Sequence, residues 1–328
     1  MTGVTAVQDQ APDHTDPGGA AATSPPPHRR TRRATALPPG DKLVLGLMLG
    51  LPSLVHVLFV WVPALGSVAL SFSSWDGIGG FEDIQWIGFQ NYVDIFTRYP
   101  RFWPALRHNL IWLAFLLVLP TVAGLFLAVL LDRELRFGRL YQSALYLPMV
   151  LSLALVGFIW QLIYQPEQGL LNNLLGTADD NPTNWLGDPD INLYAVLVAA
   201  AWRHTGYIML LYLAGLKSVD PALKEAAALD GANAFQTFTR VTFPVLKPVN
   251  IVVLVVTVIE ALRAFDIVYV VNKGRNGLEL LSVLVTDNII GESSRIGWGS
   301  ALAVILLLIS LGFIVTYLFQ VFRKEERA

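Results

Sequence analysis

Glu260, Arg263 and Asp266 stand three residues apart in a stretch that is otherwise almost wholly apolar, and Arg203 stands in another. On a helix, positions i, i+3 and i+6 lie along one side, so a single face would carry two carboxylates and a guanidinium. Ionisable groups inside a bilayer are costly and turn toward a bundle interior or a watery cavity. Two kinds of chemistry fit. The two acids and two arginines can neutralise one another in a network that fixes helix packing and touches no ligand. Alternatively they line a polar pathway, hydrogen-bonding the vicinal hydroxyls of a sugar. Trp202, Tyr207, Phe265 and Tyr269 would then offer ring faces to its C–H side. Each aromatic, taken singly, reads first as a packing residue or an interface anchor.

Covalent chemistry has no comparable set of residues. The chain lacks cysteine, which excludes disulfides and thiolate metal sites. His14, His28, His56, His108 and His204 are scattered, and no H-E-x-x-H occurs. No G-x-x-x-x-G-K-[ST] occurs either, so the chain has no phosphate cradle with which to hydrolyse ATP. A net charge of −2 argues against nucleic acid as a partner.

The elements that must position these residues are membrane helices. Of 328 residues, 54% are hydrophobic and 15% charged, and the apolar ones come in blocks. About 20 apolar residues cross the ~30 Å hydrocarbon core. Six stretches qualify: 43–72, 109–131, 142–164, 192–216, 248–272 and 299–322. Pro52, Pro63, Pro120 and Pro148 fall inside them, which membrane helices tolerate when neighbours satisfy the freed carbonyl. Residues 1–40 are rich in Pro, Ala, Thr and Gly and read as a disordered tail. The remainder, 41–328, reads as one all-α integral membrane domain of six helices.

Lys and Arg fall mostly in the tail (Arg29, Arg30, Arg32, Arg33, Lys42), in 132–141, in 217–247 and at the C-terminus. Few fall in 73–108 or 273–298, and none in 165–191, which instead holds Glu167, Asp179, Asp180, Asp188 and Asp190. By the positive-inside rule both termini and loop 217–247 are cytoplasmic (N-in, C-in), while loops 73–108, 165–191 and 273–298 are external.

Loop 217–247 has its own logic. Asp220-Pro221 is a helix start, "ALKEAAAL" continues it, and Asp230-Gly231 ends it. A second amphipathic piece, "ANAFQTFTRVTF", puts Phe235 and Phe238 on one face. Two short helices at an angle would present Leu223, Ala226 and Ala227 as a small apolar knob for a protein partner. An interfacial helix lying in the headgroups is the competing reading, but the piece up to Asp230 lacks aromatic anchors and has little basic charge.

"EAAALDGANAFQTFTRVTFPVLKP" closely resembles the EAA loop of ABC importer permeases. The flanking blocks "YQSALYLPMVLSLALVGFIWQLIYQPEQGLLNNLL", "NWLGDPDINLYAVLVAAAWRHTGYIMLLYLAGLKSVDPALKEAA" and "AFDIVYVVNKGRNG" resemble the carbohydrate branch, in particular the maltose-type larger partner, over about 43–325. The resemblance implies a type I ABC importer permease fold in a bacterial cell membrane. It implies a coupling helix at Glu225, Ala226, Ala227, Asp230 and Gly231 that docks in a groove of the ATPase. The implied partners are a second homologous permease, two ATPase subunits that bind the ATP and Mg, and an extracytoplasmic solute-binding protein. No cofactor is implied in this chain. Trp202 to Tyr207 and Glu260 to Phe265 match the segments that contact transported sugar in the family. Arg263 and Ala264 replace asparagines there, and "NKGRNG" replaces the usual "TGGGP". A permease for glycerol phosphate-type esters, with Arg203 and Arg263 pairing with phosphate, is the alternative within transport. A membrane scaffold or sensor without transport, or an autonomous secondary transporter, would stand outside the resemblance.

Overall fold

In a computed structural model the described residues are 38–133, 136–179, 181–291 and 294–325, so most of the expected tail lies outside them. The helices are α1 Pro39–His56, α2 Val62–Leu70, α3 Gln90–Arg98, α4 Phe102–Leu131, α5 Gly138–Val150, α6 Leu153–Ile163, α7 Leu170–Leu175 and α8 Asn192–Lys217. There follow α9 Pro221–Leu229, α10 Ala234–Thr237, α11 Phe243–Val245, α12 Lys247–Leu262, α13 Asp266–Asn272, α14 Leu281–Ile289 and α15 Ile296–Glu325. Among the described residues there is no strand, only an isolated bridge between Ser73 and Trp86. The chain divides after His56 into two units, the first contributing α1 and the second everything from Val57.

Four helical runs among the described residues are long and apolar enough to cross a membrane: Gly40–Leu70, Phe102–Leu131, Asn192–Lys217 and Ile296–Phe319. A fifth forms if α5 and α6 are counted together, although they meet at 100°. The stretch expected to span at 142–164 is thus two helices with a break between them. Leu151 is extended, and Ser152 starts a new helix by accepting the Leu155 N–H at 3.2 Å. Pro148 lies in the last turn before the break.

The expected span 248–272 is also interrupted. Helix α12 has 16 residues, about 24 Å, and ends at Leu262. Arg263 caps it, Phe265 leaves helical geometry, and α13 begins anew at Asp266. The Ala264 carbonyl freed by the break accepts the Ser282 hydroxyl, and Asp266 suits the positive N-terminal end of α13.

Helix α8 is the axis of the second unit, with α4 packed most extensively along it and α5, α12 and α6 around it. Trp112, Leu116, Val156, Leu197 and Ile267 form one buried cluster at this crossing, and Ala128, Ile208, Met209 and Leu246 another. Without a hydrophobic drive between helices in lipid, close approach depends on small residues. Gly206 supplies one such point: a Cβ there would lie 2.3 Å from the Leu145 carbonyl oxygen, so the α5 backbone reaches α8 this closely only because residue 206 has no side chain.

Pro120 interrupts α4 without breaking it. Its missing N–H would have served the Leu116 carbonyl, and the Thr121 hydroxyl donates to that oxygen instead, at 3.3 Å.

Candidate functional site

Two places gather the residues singled out by sequence. The first is α9. The Asp220 carboxylate accepts the Ala222 N–H at 2.9 Å, and Pro221 occupies the first turn. At the other end, Gly231 has φ +80 and donates to the Ala228 carbonyl at 3.1 Å, while Ala232 donates to Ala227 at 3.0 Å. This is the paired closure of a Schellman motif, which needs a left-handed residue at Gly231. Asn233 and Gln236 then form a reciprocal capping box at 2.9 Å, starting the next helical piece through α10 and α11. Both ends of α9 are thus closed by local bonds, and the helix is a stiff, self-contained unit.

Glu225, Ala226 and Asp230 are exposed on α9, but Ala227 is only 8% exposed. The apolar knob expected at Leu223, Ala226 and Ala227 is corrected accordingly: Ala227 faces inward. Its place outside is taken by Leu229 at 89% exposure and Phe235 at 75%. The residue spacing was right for a helix, and the error lay in which side packs on its own chain. Lys224 ties α9 to α4, its ammonium lying 3.1 Å from the carboxylate of Asp132, the residue that caps α4.

The second place is the intramembrane polar cluster. Arg203 on α8 pairs with Glu260 on α12 at 3.0 Å, and its Nε–H is directed at the Leu151 carbonyl, 3.5 Å away, at the α5–α6 bend. Arg263 and Asp266 are exposed and make no ion pair with a described residue. Of the two readings of the four charges, the neutralising network reduces among the described residues to this one pair. Nor do Glu260, Arg263 and Asp266 share a helix face, because the break at 263–265 resets the helical phase.

Glu260, Arg263, Phe265 and Asp266 do converge on one small recess, together with Trp112 and His204. Its free space is about 20 Å³, room for a water molecule but not for a sugar ring. Trp202 stands apart, edge to face with Trp160 at 5.9 Å, while Tyr207 packs beside His204 and the cluster of Ile208 and Met209. Phe265 stacks on Tyr269 at 4.9 Å. The arrangement can hold a closed polar seam across the bundle.

Three participants were not anticipated. His204 is buried and shares a 3.0 Å hydrogen bond with Thr257, joining α8 to α12 beside the Arg203–Glu260 pair. Gln161 on α6 donates to the carbonyls of Val270 and Val271, at 3.0 and 2.9 Å, capping the open end of α13. Their signal was present in sequence as isolated polar residues within apolar runs.

Comparison with known proteins agrees with this architecture. Residues 42–327 match the family model described as "Binding-protein-dependent transport system inner membrane component". A xylose/arabinose import permease of Haloferax volcanii is 33% identical over 278 residues, covering 84% of this chain and 87% of the relative. A trehalose/maltose transport system permease of Thermococcus litoralis is 31% identical over 275 residues, with 84% and 92% covered. Among solved structures, a chain of a bacterial ABC transporter involved in the import of the acidic polysaccharide alginate superposes with a TM-score of 0.75 at 22% identity, covering 87% of this chain and 96% of that one. The chain belongs to the family of inner-membrane components of binding-protein-dependent transport systems.

Proposed function

We propose that the chain is the membrane-spanning permease subunit of an ATP-driven ABC importer for a sugar or oligosaccharide. The observation that carries this reading is the alignment of 84% of the chain with permeases named for pentose and for trehalose/maltose uptake. The chain spans the membrane six times, N-in and C-in, with the interrupted pair α12–α13 as the fifth crossing. Residues 1–40 form its cytoplasmic tail and 41–328 its permease domain. It works with a second homologous permease, two ATPase subunits that bind ATP and Mg, and an extracytoplasmic binding protein that delivers the solute.

In this mechanism α9 docks on an ATPase subunit through Glu225, Ala226, Asp230 and the turn at Gly231, with Ala227 holding the helix to its own chain. ATP-driven closure of the ATPases then moves α9 as a rigid body. The sugar pathway runs past Trp202, Arg203, Tyr207, Glu260, Arg263, Phe265 and Asp266. The closed recess and the Arg203–Glu260 pair support a conformation in which that pathway is shut. Arg203 is already engaged by Glu260, so a phosphate ester would have to compete with that carboxylate for it.

The test is reconstitution of the permease pair with its ATPase and binding protein in vesicles. Sugar-loaded binding protein should stimulate both ATP hydrolysis and solute uptake. Stimulation by a glycerol phosphate ester but by no sugar would replace the substrate class. No stimulation by any loaded binding protein would remove the importer reading.

A further inference from the structure

A basic recess opens where the ends of α4, α5 and α8 meet, lined by Arg133, Arg136, Arg139 and Lys217 together with Phe137 and Leu140. None of these four cations is ion-paired with a described residue. Asp132 is the only described carboxylate lining it, and that group is committed to Lys224 at 3.1 Å. Among the described residues the recess therefore concentrates positive charge with no uncommitted counter-ion.

Its height is fixed by the helices. Leu131 closes one 30-residue apolar helix and Lys217 closes another of 26 residues, so the recess sits at the edge of the hydrocarbon core. Phe137 is 56% exposed and Leu140 67%, which sets open apolar surface directly beside the cations. Leu140, Ala144 and Leu147 are exposed at i, i+4 and i+7 of α5, a continuous apolar lane leading away from the cations. The Arg136 guanidinium lies over the Phe137 ring at 5.6 Å, placing charge and apolar surface side by side.

We propose that this recess binds an anionic membrane lipid, the phosphate-bearing headgroup among the arginines and Lys217 and an acyl chain along Leu140, Ala144 and Leu147. Cationic pockets between membrane helices recognise lipid headgroups in this way, and a soluble phosphate would leave the apolar lane unused. The inference does not depend on which solute is transported.

The experiment measures binding of short-chain phosphatidylglycerol, short-chain phosphatidylcholine, glycerol phosphate and inorganic phosphate to the purified full-chain permease in complex with its partner subunits. The expected result is a clear preference for phosphatidylglycerol over the other three. R136Q/R139Q should weaken that binding roughly 30-fold, while R136K/R139K retains most of it. Equal binding of the two lipids, equal binding of inorganic phosphate, or an unchanged preference in R136Q/R139Q would each overturn the proposal. So would loss of ATPase association in that variant with lipid preference intact, which would make the recess a protein contact.

Discussion

Arg203 of α8 holds Glu260 of α12 at 3.0 Å, and the same side chain is directed at the Leu151 carbonyl at the α5–α6 bend. One guanidinium therefore bears on α8, α12 and the α5–α6 bend, beside the His204–Thr257 bond that also joins α8 to α12. Removing either partner strands the other charge in a low-dielectric bundle, at a cost of up to about 3 kcal/mol. Arg203→Ala and Glu260→Ala should each lower the melting temperature of the purified permease. The swap R203E/E260R should recover part of the loss, and a double-mutant cycle should give a coupling of about 1–3 kcal/mol. Additive single effects would show that the pair does not join the helices.

Gly231 is constrained by its backbone and not by its surroundings, since a Cβ there would meet nothing within 4 Å. Gly231→Val should leave membrane insertion intact, strain the turn by roughly 1–2 kcal/mol, and reduce co-purification of the ATPase subunits. Gly231→Asn, better suited to a left-handed φ, should be milder. Unchanged ATPase association in the Val variant would count against the docking role of α9.

At Gly206 the constraint is the opposite one, close approach by a backbone. Gly206→Leu should force α5 from α8, lowering the folded yield in detergent and the melting temperature together. Crosslinking across the α5–α8 crossing offers a direct readout, and undiminished crosslinking in a stable variant would contradict the packing described.

Asn172 organises the loop between α6 and α8. Its amide donates to the carbonyls of Pro166 and Thr183 at 2.8 and 2.9 Å and accepts from the Trp185 indole at 2.8 Å. Asn172→Ala would leave these part-buried groups unpaired, about 1 kcal/mol of local stability. Limited proteolysis should cut within 165–191 faster than in wild type while the rest of the chain remains intact.

The helices α4, α8 and α15 were legible because each is long and predominantly apolar, even with Pro120 inside α4 and Arg203 inside α8. The capped ends of α9 were equally legible, since Asp-Pro and Asp-Gly act locally and need no tertiary context. The break at 263–265 was not. It carries neither Pro nor Gly, and it is held by the Ser282 hydroxyl on Ala264, a partner eighteen positions away. The polar face expected for Glu260, Arg263 and Asp266 failed with it, because a periodicity argument assumes one helix. Ala227 failed differently: its neighbours on the loop decide which side is inward, and that depends on how α9 lies against the chain after Phe238.

Helix α4 carries attachments near both of its ends. Asp132 receives Lys224 from α9, while near the opposite end His108 and Asn109 bond the Glu279 carbonyl and the Leu281 N–H, at 3.0 and 2.8 Å. With 30 residues the helix is about 45 Å long, so a tilt of about 5° swings its tip by about 4 Å. Under the docking role proposed for α9, this helix is the rigid rod that would carry a displacement of α9 to the segment leading into α14.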